Sequence, residues 1–417
     1  MQSKLKKVIQ PPEFLGILGG GQLGRFFTIA AQKMGYSVVV FDPDKQSPAG
    51  KIAEKHICKP YNDLKALDEL KASCRAVTTE FENVPAKTLR YLEKDIIVRP
   101  SSKAIAIAQN RIKEKNFLKK IKTTEGLMPV GTYVVIDSIE SINNIDEKLR
   151  IFPGILKIAE FGYDGKGQIH VNNKTELEAA FKTFNNVPCT LEKKLNLESE
   201  FSVVLARSVD GEFIVYPTIH NSHDSGILEL SSIPYMGLNP QILNIVDSDA
   251  DMAKKFEKLK KYKDNIYINL TKSIANELSY IGVMAVEWFV EGGRKYINEI
   301  APRPHNSGHF SIDACVYNQF DQQVLALTGN KLKQPEVEFP RSVMLNILGD
   351  LWFRDGAQKE PKFEMIAGLG IKLHLYGKAE PRIGRKMGHI TILGLRDETQ
   401  EDVMNRALSI LGKLKSL

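Results

Sequence analysis

Hydrophobic positions recur with two different periods along this chain, and the switches between them mark out its parts. From Phe14 to Val98 the apolar runs FLGILGG, YSVVVFD and RAVTTEF alternate with helical stretches, one from Gln22 to Lys33 and one in DLKALDELK. That βαβ series predicts a parallel sheet whose ligands sit at the carboxyl ends of its strands. A basic helical stretch follows, with Ile105, Ala108 and Ile112 on one face and Lys103, Arg111, Lys113 and Lys115 largely off it. From Gly131 to Leu191 a strand (TYVVI), a polar helix, a lysine-bearing strand (GILKIA), a Gly-rich turn and another helix predict a small α+β unit. Phe201 to about Thr328 reads as strands joined by Asp210-Gly211, a long polar loop, a helix near 266–279 and a hairpin turned at Gly292-Gly293. From about Gln334 the strands IKLHLYG and HITILGL lead to a closing helix, and Thr399 to Asp402 before it has the form of a capping box.

Composition narrows the class without choosing a function. A chain of 417 residues has room for about three domains. With 43% hydrophobic and 26% charged residues it is neither disordered, collagenous nor a coiled coil. Fifty-seven basic against 50 acidic side chains leave +7, a surplus that suits anionic small molecules as well as nucleic acid. Cys58, Cys74, Cys189 and Cys315 are far apart and form no Cys-x-x-Cys, so they are expected to be reduced. No apolar run approaches the roughly 18 residues of a membrane span, and no signal segment is evident, which predicts a cytoplasmic protein without a membrane partner.

The sharpest local motif is Gly19-x-Gly21-x-x-Gly24 between a strand and a helix, with Asp42 ending the next strand. Such glycines either cradle a dinucleotide or simply make a tight strand-to-helix turn. The second half of the chain carries another phosphate apparatus. Lys157 lies inside an apolar strand, where a cation is costly unless an anion meets it. Gly162, Tyr163, Asp164, Gly165, Lys166, Gly167 and Gln168 follow, either a lid over a polyphosphate or an Asp-Gly turn on a solvated edge.

Glu287 and Glu299 stand six residues either side of Gly293, so a hairpin turned there sets them opposite one another. With Asn298 they offer hard oxygen ligands for Mg²⁺, unless both face solvent. Next comes APRPHNSGH, where Arg303 has a bidentate fork for a carboxylate or bicarbonate and His305 and Asn306 can donate hydrogen bonds or move a proton. A polar surface loop is the plainer reading. The histidines of Ile219 to Asp224 lack the helical spacing of a zinc site. Lys378, Arg382, Arg385 and Lys386 crowd one hairpin tip, fit to hold a phosphate monoester or to keep an edge soluble; with only Tyr376 interleaved, nucleic acid is not the expected partner.

In this order, GILGGGQLGR, TTEFENVP, GYDGKGQ, IHNSH, GVMAVEWF, NEIAPRPHNSGH and GRKMGHI resemble the ATP-grasp superfamily, and within it the N5-carboxyaminoimidazole ribonucleotide synthetases. The resemblance implies a multidomain α/β and α+β chain. An N-terminal Rossmann-like (pre-ATP-grasp) substrate-binding domain would span 1–108, an ATP-grasp domain 109–332 with its lid lobe at about 127–191, and a small C-terminal domain 333–417. The implied activity is ATP- and bicarbonate-dependent carboxylation of 5-aminoimidazole ribonucleotide through carboxyphosphate, in purine biosynthesis. Another ATP-grasp ligase or formyltransferase of purine synthesis is the nearest alternative, and an NAD-binding oxidoreductase a more distant one.

The same resemblance assigns residues. Arg111, Lys157, the Gly162–Gln168 loop, Glu192, Lys193, Lys194, Leu195, Glu200, His223, Asn298 and Glu299 would contact ATP. Glu287 and Glu299 would hold one or two Mg²⁺ ions, for which Mn²⁺ can substitute. Tyr163, Asp164, Arg303, His305 and Asn306 would gather around bicarbonate and the acceptor amine. Gln22, Leu23, Glu80, Lys378 and Arg385 would bind the ribonucleotide, the last two at its phosphate. A homodimer is implied as well. One departure is Glu160-Phe161, which stands where related sequences have Thr-Gly before the lid loop.

Overall fold

The computed structural model describes residues 8–124, 126–160, 162, 167–224, 226–233, 266–354 and 357–416. The loop tip Tyr163 to Lys166, Phe161 and the long polar loop after Ile233 lie outside the described residues.

Five strands, β1 (Phe14–Leu18), β2 (Ser37–Phe41), β3 (Lys55–Ile57), β4 (Ala76–Thr79) and β5 (Ile97–Val98), form a sheet in the order β3-β2-β1-β4-β5. Every pairing in it is parallel. The apolar SVVVF run of β2 is buried from Val38 to Phe41, as a strand covered on both faces must be. The helix Gln22–Lys33 turns Phe26, Phe27 and Ala30 inward, where they meet Phe320, Val324 and Leu327 of the helix Gln319–Thr328. Arg99 fixes that contact: its buried guanidinium donates through Nη1 to the carbonyls of Ala326 (2.9 Å) and Leu327 (2.7 Å), at the carboxyl end of the second helix.

The basic helical stretch departs from expectation. It is two helices, Ser102–Ala108 and Arg111–Lys120, because Asn110 caps the second by accepting the Lys113 N–H at 3.0 Å. Lys115, expected off the apolar face, is 2% exposed, and Glu114 beside it is 3% exposed. Both are drawn inward by polar partners: Lys115 Nζ donates to the carbonyls of Ile297 (3.3 Å) and Asn298 (3.0 Å), and Glu114 accepts the Ile300 N–H (2.6 Å).

After a short ladder of β6 (Lys122–Thr123) and β7 (Gly126–Leu127) comes the α+β unit. Its strands β8 (Tyr133–Ile136), β9 (Gly154–Ile158), β10 (Gln168–Val171) and β11 (Cys189–Lys193) run β10-β9-β11-β8, with the helix Lys174–Thr183 packed on them through Leu177 and Phe181.

The largest sheet has nine strands. They are β12 (Ser199–Arg207), β13 (Phe213–Val215), β14 (Ile219–Asp224), β15 (Ile227–Ile233), β16 (Gly282–Glu291), β17 (Arg294–Ala301), β18 (Ser342–Leu348) and, after a short hairpin of β19 (Phe353–Arg354) and β20 (Ala357–Gln358), β21 (Ile371–Leu375) and β22 (Lys386–Leu393). The order is β17-β16-β12-β14-β15-β18-β22-β21, with β13 beside β12. No seam separates the C-terminal strands from the rest, because β15 pairs with β18 from Leu230↔Leu345 to Ile233↔Ser342. The closing helix, Gln400–Ser416, begins with Thr399 Oγ1 accepting the Asp402 N–H (3.1 Å) while Asp402 accepts the Thr399 N–H (2.8 Å), the predicted capping box.

Where the three parts meet, Phe26, His309, Tyr376, His374 and His389 pack ring on ring. Asp313, His374 and His389 bring potential ligand atoms within 4.8 Å of one another. The two imidazoles, however, are stacked 4.6 Å apart with planes 18° from parallel, so their in-plane lone pairs do not converge on one point; His374 Nε2 instead pairs with Asp313 at 2.9 Å. All four cysteines are free thiols, and no helix among the described residues is long and apolar enough to cross a membrane.

Candidate functional site

One cavity of about 1190 Å³ opens between the sheets, and nearly all the described candidate residues line it. Gln22, Leu23, Glu80, Arg111, Lys157, Gly162, Gly167, Gln168, Glu192, Lys193, Leu195, Glu200, His223, Glu287, Asn298, Glu299, Arg303, His305, Asn306, Lys378 and Arg385 are on its walls. Lys194 is not: its side chain is exposed, and its backbone N–H is spent on the Pro153 carbonyl (2.9 Å). Tyr163, Asp164, Gly165 and Lys166 lie outside the described residues.

The cavity floor is the switch point of the parallel sheet, at the carboxyl ends of β1 and β4. Gly19 there has φ +101°, and a Cβ on it would stand 2.3 Å from Glu80 Cγ. Glu80 reaches across to accept the N–H of Gly21 (2.5 Å) and of Gly24 (2.7 Å). Asp42 accepts from Gly20 N–H (2.7 Å), Asp44 N–H (2.7 Å) and Tyr61 Oη (2.8 Å). The protein's own carboxylates therefore take the amides a dinucleotide pyrophosphate would need, and the oxidoreductase alternative loses its site. Burial pushes the Glu80 carboxyl up to about 6 against the pull of the two amides.

On the adjoining wall three cations converge on one carboxylate. Glu192, on β11, meets Arg111 in a two-pronged contact through Nε and Nη2 (the latter 3.0 Å), Lys157 Nζ at 3.4 Å and Lys115 Nζ at 3.7 Å. Burial opposes ionisation, yet Arg111, Lys115 and Lys157 together hold Glu192 well below the usual carboxylate range. Burial and the neighbouring Arg111 charge push the Lys157 ammonium down to about 8. Three cations on one carboxylate leave this wall electropositive, and a polyphosphate would relieve it.

Facing them is the hairpin of β16 and β17, turned by Gly292 (φ +57°) and Gly293 (φ +70°), the left-handed pair that a two-residue turn matching strand twist requires. It pairs Glu287 directly with Glu299, next to a bulge at Trp288. Burial, then the charge of Glu287, pushes Glu299 above its ordinary value. Glu287 stays below its own despite burial, since His305 Nε2 lies at 3.2 Å and Asn298 Nδ2 donates to it at 3.2 Å. Arg111 Nη1 lies 3.6 Å from Glu299 and its Nη2 donates to Asn298 Oδ1 (3.2 Å), so the pair's charge is only partly offset, and two opposed carboxylates beside an amide oxygen remain a donor set that fits a hard divalent cation. Glu200 and His223, on neighbouring strands, pair at 2.8 Å farther along the wall.

Arg303 leaves the end of β17 and gives both Nε (2.5 Å) and Nη2 (3.3 Å) to the carboxylate of Glu82. His305 is buried and oriented by Ser307, 2.8 Å from its Nδ1. Asn306 is buried on the cavity wall with neither amide atom hydrogen-bonded among the described residues, which leaves both available to a ligand there. At the far end Lys378 Nζ donates to Gln22 Oε1 (2.6 Å) and the Lys386 carbonyl (2.5 Å), while Arg385 Nη1 donates to the Glu380 carbonyl (2.6 Å).

Sequence reasoning missed Glu82, Glu114 and Lys115. A usable signal was present for Lys115: four residues beyond Arg111, it shares that residue's helix face.

Three family models match consecutive stretches: a ribonucleotide synthetase preATP-grasp domain over 13–109, an ATP-grasp domain over 121–320 and a phosphoribosylaminoimidazole carboxylase C-terminal domain over 342–403. The N5-carboxyaminoimidazole ribonucleotide synthase of Staphylococcus aureus (strain COL) is 36% identical over 385 residues, 91% of this chain and 92% of that one. The chain belongs to the N5-carboxyaminoimidazole ribonucleotide synthase family. The crystal structure of the Staphylococcus aureus synthetase complexed with ADP matches it with a TM-score of 0.80 at 33% identity, covering 98% of both chains. That of the Aspergillus clavatus synthase, in complex with ADP and 5-aminoimidazole ribonucleotide, matches with a TM-score of 0.79 at 25% identity, covering 97% of this chain and 99% of that one. Three consecutive family domains thus account for the parallel sheet, the α+β unit with the nine-stranded sheet, and the C-terminal strands grafted onto that sheet.

Proposed function

We propose that this chain is a ligase that carboxylates 5-aminoimidazole ribonucleotide at its exocyclic amine, consuming ATP and bicarbonate and releasing ADP and phosphate in purine biosynthesis. One observation carries the reading: a single cavity joins an electropositive wall, an opposed carboxylate pair, an arginine fork and a basic far end. The relatives named above support it, since one is a synthase of this product and another is complexed with ADP and the acceptor ribonucleotide.

Lys157, Arg111 and Lys115 would receive the ATP phosphates, and Lys193 and Leu195 the base. Glu287 and Glu299, with Asn298, would hold Mg²⁺, which when bound offsets the charge of the polyphosphate. A bicarbonate oxygen attacks the γ-phosphorus, the bond to the β-phosphate oxygen breaks, and ADP leaves with carboxyphosphate formed. Arg303 would present the bicarbonate to that attack. The ribonucleotide, gripped by Lys378 and Arg385 at its phosphate and flanked by Gln22 and Glu80, then attacks the carboxyl carbon of carboxyphosphate, or CO₂ released from it inside the site. Phosphate departs, and the amine proton passes to His305 or Asp164. The Gly162–Gln168 loop would close over the acyl phosphate to exclude water. The resemblance further supports a homodimer, which light scattering on the purified chain tests.

The deciding measurement is ADP release from MgATP and bicarbonate, with and without aminoimidazole ribonucleotide, coupled to detection of the carbamate product. Stimulation that needs both substrates, with carbamate formed, is the expected result. ATP binding without that stimulation would sink the acceptor assignment.

A further inference from the structure

Glu82 lines the cavity and belongs to neither the nucleotide wall nor the phosphate grip. It sits on the segment after β4, two residues beyond Glu80, and its partner Arg303 comes from far along the chain, after β17. The segment is braced. Thr79 Oγ1 donates to the Phe81 carbonyl (2.9 Å), and Gln109 Nε2 donates to the carbonyls of Glu82 (2.5 Å) and Val84. Glu80 and Glu82 are therefore held on one short, fixed stretch: the first closes over the Gly21 and Gly24 amides beside Gln22, and the second grips the arginine.

A carboxylate along the Nε–Nη2 edge of a guanidinium fixes the plane of the group and the direction of its terminal Nη1–Nη2 end. Arg303 Nη1 adds a second constraint by donating to the Pro304 carbonyl (3.2 Å). Both partners are largely shielded, with side chains 18% and 25% exposed, so the contact is no solvent-screened surface pair. Burial opposes its ionisation, yet the Arg303 charge and hydrogen bonds hold Glu82 below the usual carboxylate range, so it stays a full anion at neutral pH.

We propose that Glu82 is a positioning residue for bicarbonate: it aims the Arg303 guanidinium and, through the braced segment it shares with Glu80, ties capture of the anion to occupation of the acceptor site. The inference rests on the reading of the cavity as a bicarbonate-dependent synthase site. Glutamine at position 82 offers one acceptor oxygen in place of two and no charge, so the fork loses its fixed plane. Aspartate keeps the charge but is one methylene shorter, so it keeps one of the two bonds.

The test is steady-state kinetics of Glu82→Gln and Glu82→Asp on the full chain, with bicarbonate, ATP and aminoimidazole ribonucleotide varied in turn, beside thermal melts. Glu82→Gln is expected to raise KM for bicarbonate by about 10- to 100-fold, the scale of a lost charge-assisted pair, and to leave KM for ATP within about twofold. It also lowers the fold-stimulation of ATP hydrolysis by the ribonucleotide. Glu82→Asp falls between the two. In an Arg303→Lys background Glu82→Gln adds less than about twofold, because a residue acting through Arg303 has nothing left to act on. Unchanged bicarbonate KM, or three KM values rising together with a fall in melting temperature, overturns the inference. Should Glu82→Gln not fold, a bicarbonate-specific KM rise in Glu82→Asp upholds it and a uniform one overturns it. Wild-type protein without bicarbonate-dependent turnover fails the functional reading itself, a result distinct from a normal Glu82→Gln enzyme.

Discussion

Glu80 shows what burial does to a carboxyl that must also be useful. It is 9% exposed and keeps its proton up to about pH 6, against an ordinary value of 4.5. Between those values the folded chain binds more protons at this site than the unfolded chain, so this group's contribution to stability falls as pH rises from about 4.5 to about 6. The loss amounts to about 2 kcal/mol. Urea midpoints of wild type and Glu80→Gln, measured from pH 4 to 7, should diverge across that window, with the glutamine chain lacking the downward slope. Parallel curves would refute it. At this scale the sequence is readable where a residue is odd for its neighbours, as Lys157 is inside an apolar strand. It is silent where the reason lies far off in the chain: Lys115 is buried because Glu192 and the Asn298 carbonyl await it, and Glu82 matters because of Arg303.

Elements were legible in proportion to how local their causes are. The helix Gln22–Lys33 and the hairpin at Gly292-Gly293 follow from apolar spacing and turn chemistry, but the turn alone would set Glu287 opposite Asn298; the bulge between Glu287 and Trp288 shifts the register by one and opposes Glu287 to Glu299. The division of the basic stretch into two helices was missed, because apolar spacing runs on through Gln109-Asn110 while the Asn110 side chain caps a new start. The hairpin bears a direct test. Gly293→Val places a β-branched residue at φ +70°. It is expected to cost about 1–2 kcal/mol, read as a lower urea midpoint, with a loss of ATP turnover if the pairing of the glutamates shifts. An unchanged midpoint would show that the turn relaxes freely.

The whole molecule depends on contacts between parts that the sequence kept apart. Arg99 is one: it ends the parallel sheet's last connection and donates to the carboxyl end of the helix Gln319–Thr328. Arg99→Leu keeps the bulk and removes both bonds, for a loss of about 2–3 kcal/mol concentrated at the junction. Calorimetry should then show the N-terminal sheet melting ahead of the rest, and a single cooperative transition at the wild-type temperature would count against that role. That the C-terminal strands continue the central sheet was not legible in the pattern, since periodicity reports which face of a strand is buried and never which neighbour it pairs with.

That shared sheet is also a measuring rod. Seven gaps separate β17 from β21, so laid flat the two outer strands would stand about 34 Å apart. Glu299 on one outer strand and Lys378 and Arg385 on the connection between β21 and β22 nonetheless line the same cavity. The cavity therefore runs along the sheet rather than over one strand pair, and the order of the strands, more than any one side chain, sets how far apart its two ends lie.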